Sequence, residues 1–322
     1  MLMWLWFSIK ARAFFFFTRA NPVIETGGVM GESKINILNR IPALLLPKTI
    51  FVKQEKMSET EISERLLMKQ MTYPLIAKPD IGERGFLVEK LNSEEDLWAY
   101  IERITVDFLI QEFIDYPVEI SVLYYRLPSV DKGQITSFCI KETLKVKGDG
   151  VSTIETLMEA YPRATLQLPR FRKNYPAILK DIPQKGEVVE LEPIGNHSRG
   201  TTFLNGNHHI DEQLVAVFDT IGFQMENIYY GRFDMKCASI EKLKKGVDFK
   251  ILEFNGIASE PAHIYQPGYS IFQAYKDLWR HWEIIFQISE EQKERGITAM
   301  SWKDWTTHYQ QYKQYLKTAG GD

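Results

Sequence analysis

Gly231-Arg232-Phe233-Asp234 and Leu252-Glu253-Phe254-Asn255-Gly256 are the two stretches that decide how this chain folds. Each alternates polar and apolar residues as a strand does, and on a strand residues two apart share a face. Arg232 and Asp234 therefore project together, as do Glu253 and Asn255. Paired as neighbours, the strands place two carboxylates, an amide oxygen and a guanidinium in one patch. Mg²⁺ takes hard oxygen ligands of this kind and keeps waters and phosphate oxygens for its other positions. Arg232 can stabilise negative charge that develops beside the metal. A polar solvent face on an ordinary strand carries the same residue types, so neither stretch decides alone. The two in this order favour a metal held by Asp234, Glu253 and Asn255.

Working back along the chain, an apolar run from Pro74 ends at Lys78 and Pro79, followed by Gly82-Glu83-Arg84-Gly85. A lysine there reaches nucleotide phosphates, and glycine amides let backbone approach the terminal phosphate closely. By itself the feature is an exposed lysine before a hairpin turn. Its position upstream of the carboxylate strands gives it weight.

The remaining pattern mixes the two element types. Strands are expected at 49–52, 74–78, 86–90, 108–113, 118–125, 134–141, 229–237 and 248–254. Helices are expected at 34–41, 58–71, 93–103 and 211–223; Ser58-x-x-Glu61, Ser93-x-x-Asp96 and Ser152-x-x-Glu155 are helix-opening signals. Residues 161–209 read as irregular and substrate-facing, and Lys242 to Lys245 as a charged hairpin. From Ser270, Phe272, Tyr275, Trp279, Trp282, Ile285 and Phe286 share one helix face, which reads as core. Trp302, Trp305, Tyr309, Tyr312 and Leu316 suggest a further helix docked on the body. Without regular βα alternation, the class is α+β.

The chain has 322 residues, 44% hydrophobic and 25% charged, which suits a globular protein of about two domain-sized units. A net charge of −3 supplies no basic field for nucleic acid. Cys139 and Cys237 lack a CxxC spacing and read as buried, reduced thiols of a cytoplasmic protein. Residues 1–17 are rich in Trp and Phe but interrupted by Lys10 and Arg12, and fit neither a span of about 20 apolar residues nor a secretory signal. Two readings stand: a segment buried against the body, which is favoured, or an amphipathic segment lying on a membrane surface. His208-His209 reads as a surface pair, since no third metal ligand accompanies it.

Arg-x-Asp on one strand and Glu-x-Asn on the next resemble the Mg²⁺-binding signature of the ATP-grasp superfamily. D-alanine–D-alanine ligases and the ATP-grasp part of cyanophycin synthetases are the most similar, across roughly residues 34–270. The resemblance implies an ATP-grasp fold, two α+β subdomains gripping ATP between antiparallel sheets. Its expected divisions are a short aromatic segment and helix (1–48), a lid subdomain (49–112), a C-terminal subdomain with the metal site (113–288) and a helical tail (289–322). It implies ATP with Mg²⁺ or Mn²⁺. Lys34, Lys78, Gly82, Arg84 and Gly85 match phosphate contacts. Glu112, Phe113 and Ile114 match the adenine hinge, and Glu119 matches the ribose acid. Lys141 and Lys147 are further candidate phosphate contacts, Lys147 opening a Gly-Asp-Gly-x-Ser-Thr-Ile loop. Arg232 and Arg199 are the candidate catalytic cations, Arg199 in the loop Gly195–Thr201 with His197 nearby.

The reaction so implied joins a small carboxylate to an amine, amino acids among the candidates, through an acylphosphate with release of ADP and phosphate. A phosphotransferase on the same nucleotide site, or a nucleotide-binding interaction module at a membrane surface, are the rival readings. A ligase of the D-alanine type carries a full α/β domain ahead of its lid, whereas about 30 residues precede Lys34 here. The expected partners are therefore small molecules, a peripheral membrane contact through residues 1–20 at the inner face, and a second copy of the chain as homodimer.

Overall fold

A computed structural model describes residues 2–54, 56–83, 85–192, 195 and 197–320. In chain order its strands are β1 (Thr49–Val52), β2 (Leu75–Pro79), β3 (Glu89–Leu91), β4 (Phe108–Glu112), β5 (Val118–Tyr125), β6 (Gln134–Glu142), β7 (Leu144–Lys147), β8 (Val188–Glu192), β9 (Thr202–Asn205), β10 (Tyr230–Cys237) and β11 (Phe249–Asn255). They form a four-stranded sheet ordered β1-β4-β2-β3, a five-stranded sheet ordered β11-β10-β5-β6-β9, and the pair β7-β8. Every ladder is antiparallel. The α+β class and the two antiparallel sheets are as expected.

Each sheet buries one face under a helix. On the smaller sheet, Ile50, Leu75, Ala77, Phe108 and Ile110 pack with Leu97 and Tyr100 of helix Glu94–Arg103. That helix starts where Ser93 accepts from the Asp96 amide. On the larger sheet, Val122, Phe233, Met235 and Ile251 pack against Leu214, Phe218 and Ile221 of helix Glu212–Gln224. Alternation on β10 leaves Arg232 and Asp234 on the opposite face. On β11 a bulge at Leu252 resets the alternation, so Glu253 and Asn255 join them while Ile251 and Phe254 stay in the core.

An aromatic core closes the end of the larger sheet. Phe7, Phe15, Phe16 and Phe17 pack with Tyr230, Ile284, Ile285 and Ile288. Asn21, fully buried, locks this segment in place: its amide nitrogen donates to the Tyr230 carbonyl at 2.8 Å, and its oxygen accepts from the Tyr229 amide at 3.0 Å. The chain next runs alongside the end of β11, where Gly28 and Gly256 approach too closely for either to carry a side chain. A Cβ on Gly28, whose φ is +86°, would lie 2.6 Å from the Gly256 Cα. Residues after Asn21 thus form one wall of the cleft.

Several expectations need correction. Residues 161–209 are not irregular throughout: they contain helices Pro162–Thr165 and Leu168–Asn174, β8, and β9 at the edge of the larger sheet. Lys242–Lys245 falls in the short helix Ile240–Lys244 and its cap, because Ser239 accepts from the Lys242 amide and starts a turn. Thr153, not Ser152, caps the helix Ile154–Glu159, since the Ser152 hydroxyl is bonded to Asp149 instead. The strand expected at 86–90 begins only at Glu89, after Leu87 takes a positive φ of 51°. The helix Ile271–Glu294 runs unbroken for 24 residues. Its aromatic stripe is core only in part. Phe272, Tyr275 and Trp279 are 85%, 56% and 42% exposed, because the buried face runs through Ala274, His281, Ile284, Ile285 and Ile288. The final helix, Trp302–Thr318, docks through Trp305, which stacks on Phe15 at 4.3 Å. Among the described residues no helix is long and apolar enough to cross a membrane.

Candidate nucleotide and metal site

Between the two sheets lies a cleft of about 600 Å³. Arg232 faces Asn255 and Asp234 faces Glu253 across the β10-β11 ladder. Asp234 is the hub. Arg232 donates to it through Nε and Nη2, both at 3.1 Å, and the Asn255 amide nitrogen donates at 3.0 Å. Lys141 of β6 reaches it at 3.3 Å and Glu119 of β5 at 3.5 Å. Burial works against the Asp234 carboxylate, but Arg232 and Lys141 outweigh it and hold the group below its ordinary range. Burial also works against the Lys141 ammonium, and Asp234 and Glu119 more than offset it, so its pKa is raised.

Lys78 enters from the smaller sheet. Its ammonium donates to Gln111 Oε1 and to the Leu252 carbonyl, each at 3.0 Å. Gln111 is itself oriented by donating to Thr49 Oγ1 at 3.1 Å. Burial pulls the Lys78 pKa down to about 8, with Lys34 adding to the depression and Glu253 and Asp234 opposing it. Lys34 lies 3.8 Å from Glu253 and donates to the Gly82 carbonyl at 2.5 Å. Gly82 and Gly85 hold φ of +143° and +75°, conformations that side chains disfavour.

The other expected residues divide. Glu112, Phe113, Ile114 and Glu119 line the cleft. Glu112 accepts from the Lys48 amide at 3.1 Å, and the Phe113 ring lies between Lys90 and Lys236, 4.0 and 5.0 Å from its centre. Arg199 does not line the cleft. Its guanidinium donates to the carbonyls of Gly85 at 2.7 Å and Val88 at 3.3 Å and lies 3.7 Å from Glu192, so it braces the glycine loop from behind. Lys147 is exposed on β7, outside the cleft, in a neighbouring depression that also takes in Lys141 and Glu119. Arg84 lies outside the described residues.

No protein-family model matches the chain, and no curated protein matches it. Solved structures do. A VanG D-Ala:D-Ser ligase from Enterococcus faecalis is 12% identical, with a TM-score of 0.45 over 83% of this chain and 63% of that one. A D-alanine–D-alanine ligase from Bacillus anthracis is 13% identical, with a TM-score of 0.47 over 84% of this chain and 71% of that one. A bifunctional glutathione synthetase from Pasteurella multocida is 13% identical, with a TM-score of 0.39 over 76% of this chain and 35% of that one. The chain thus spans less than two thirds of the first of these.

Four cleft residues escaped the sequence reading. Lys236 follows Arg232 and Asp234 at the same two-residue period, so the signal was present. Gln111 gave none, since a polar residue in an apolar strand does not announce its partner. Glu32 precedes Lys34 by two residues; burial raises its pKa, and the nearby Glu253 and Glu83 add to the rise. Tyr312 reaches the cleft from the last helix and donates to Glu83 at 3.3 Å. Among the described residues no three His, Cys, Asp or Glu side chains cluster as a metal site.

Proposed function

We propose that this chain is an ATP-dependent ligase of ATP-grasp type, joining a small carboxylate to an amine through an acylphosphate. The observation that carries the reading is the convergence of Lys34, Lys78, Lys141 and Arg232 on Asp234, Glu253 and Asn255 between two antiparallel sheets. Cations crowding a carboxylate pair, Asp234 buried and Glu253 half-buried, suit a polyphosphate with its divalent ion better than a neutral ligand.

The donor chemistry fits such an ion. Asp234 and Glu253 are opposed on adjacent strands, and Asn255 donates its amide N–H to Asp234, which leaves its carbonyl oxygen to serve as a metal ligand. Asp234, Glu253 and Asn255 would hold Mg²⁺ or Mn²⁺, which when bound offsets phosphoryl charge. The chain's own groups do the rest. Lys78 and Lys34 face the phosphates from the lid side and Lys141 from the larger sheet. Arg232, fixed by its two bonds to Asp234, presents its remaining edge to the oxygen that gains charge as the substrate carboxylate attacks. Phe113 and Ile114 offer the base an apolar wall, and Glu119 offers the ribose an acceptor. The amine then displaces phosphate from the acyl carbon, and no enzyme nucleophile is required.

Purified protein incubated with ATP, Mg²⁺ and a panel of amino acids and small carboxylic acids tests this. ADP release is expected only when acid and amine are both present, with a joined product by mass spectrometry. Glu253→Gln is expected to keep its melting temperature and lose ADP release. Full activity in that variant overturns the two-strand site. ADP release with a phosphorylated acceptor and no joined product overturns ligation in favour of phosphoryl transfer.

A further inference from the structure

The helix Leu2–Ala11 turns apolar side chains to solvent. Leu2, Leu5, Trp6 and Ile9 are 85%, 43%, 57% and 69% exposed, and their spacing of three and four residues makes one stripe. The opposite side, with Phe7, Ser8 and Ala11, is buried against the body. A second exposed stripe, Phe272, Tyr275 and Trp279, lies on the helix Ile271–Glu294. The two meet where Phe7 packs 5.3 Å from Trp279. Single exposed apolar residues are ordinary, but a run across two packed helices is not.

Charge decides what fits it. Residues 1–20 contain Lys10, Arg12 and Arg19 and no Asp or Glu, in a chain whose net charge is −3. Lys10 and Arg12 are exposed beside the first stripe, and Lys276 and Arg280, one turn apart, beside the second. Glu283 is exposed one turn further on, while Asp277 is engaged by the Tyr269 hydroxyl at 2.6 Å. An apolar face bordered by four cations against one exposed acid complements an anionic surface. Two copies placed face to face would instead bring like-charged borders together.

We propose that this face docks on an anionic phospholipid bilayer. Leu2, Leu5, Trp6, Ile9 and Phe272 enter the acyl boundary, and the four cations meet headgroup phosphates. With ten residues the first helix lies in the interface and does not cross it. None of these residues lines the cleft, so the proposal stands or falls independently of the nucleotide site.

Flotation of the full chain with phosphatidylcholine vesicles, with and without phosphatidylserine, is the test. Co-flotation is expected with the mixed vesicles and is weakened by salt. The triple change Leu5→Ser, Trp6→Ser and Ile9→Ser should abolish it with the melting temperature kept, since these side chains are exposed. Lys276→Glu with Arg280→Glu should lower partitioning by about fivefold or more per basic residue removed, the effect of ~1 kcal/mol each. Absence of wild-type flotation overturns the proposal, as does equal flotation of the folded triple variant. A salt-insensitive dimer that the triple variant converts to monomer overturns it in favour of a second copy.

Discussion

Lys78 donates to the carbonyl oxygen of Leu252 across the cleft, at 3.0 Å, linking β2 of one sheet to β11 of the other. Leu252 can accept because it is the extra residue of a β-bulge. Asp234 faces Glu253 and Met235 faces Ile251, so Leu252 opposes nothing on β10. A bulge re-aims the backbone locally, and here Leu252 and Glu253, though consecutive, both line the cleft. The Lys78 ammonium and the Glu253 carboxylate are thereby brought into the same cleft.

With ATP held in the cleft as proposed, the position of Lys78 makes that binding depend on pH. Its pKa of about 8 lies below the ordinary 10.5 because burial disfavours the ammonium. For stability, that penalty is fully present below about pH 8 and is relieved as pH rises towards 10.5, by ~3 kcal/mol at most. Affinity runs the other way. Phosphates favour the ammonium, so ATP affinity should fall above about pH 8, and binding there should take up a proton. Calorimetric titration in buffers of different ionisation enthalpy measures that uptake; a pH-independent affinity with none contradicts the assignment.

Asp234 should be costly to replace. It is the common partner of Arg232, Lys141 and Asn255 in a site where the cations have few alternatives. Asp234→Asn is expected to lose activity and about 3 kcal/mol of stability, the cost of stranding a buried partner. Its lowered pKa fixes the pH dependence: the carboxylate's contribution is present above 3.8 and is lost as pH falls through the lower folded value. Urea unfolding of both proteins should therefore differ near neutrality and converge in acid. A stability difference that persists unchanged there would point to packing.

Much of this was legible in the sequence because it repeats at short range. The two-residue period of Arg232 and Asp234, and the caps at Ser58 and Ser93, are local signals that local structure obeys. What stayed hidden depends on contacts made far along the chain. Arg199 reads as a substrate cation until Gly85, 114 residues away, is seen to occupy it. Phe272, Tyr275 and Trp279 have the spacing of a core stripe, and only the packing of His281, Ile284 and Ile288 shows that another face is buried. β9 is four residues long, too short for alternation to distinguish it from a loop.

The contact between the stretch after Asn21 and the end of β11 should tolerate no side chain. A Cβ on Gly28 would meet the Gly256 Cα at 2.6 Å, and one on Gly256 would meet the Gly27 carbonyl oxygen at 2.5 Å. Gly28 adds a φ of +86°, which alanine adopts only under strain. Gly28→Ala is expected to cost about 3 kcal/mol from strain and overpacking together. The cleft wall that carries Glu32 and Lys34 would move with it, so ADP release should fall as well. Wild-type unfolding curves for Gly28→Ala would refute the close approach.

Gln111 should act as a positioning residue for Lys78. Its oxygen accepts from the ammonium at 3.0 Å while its nitrogen is tied to Thr49, so the acceptor cannot simply turn away. Gln111→Leu removes one of the two oxygens that hold the charged form, and leaves the partner less well solvated by ~1–3 kcal/mol. The Lys78 pKa should then fall below about 8, moving the pH at which ATP affinity declines downward. Gln111→Glu places a carboxylate beside the ammonium and should move that midpoint upward, while competing with phosphate and weakening ATP at neutral pH. Opposite midpoint shifts in two folded variants are what a role through Lys78 requires. A purely structural role would lower stability in both and leave the midpoint of the affinity profile where it was.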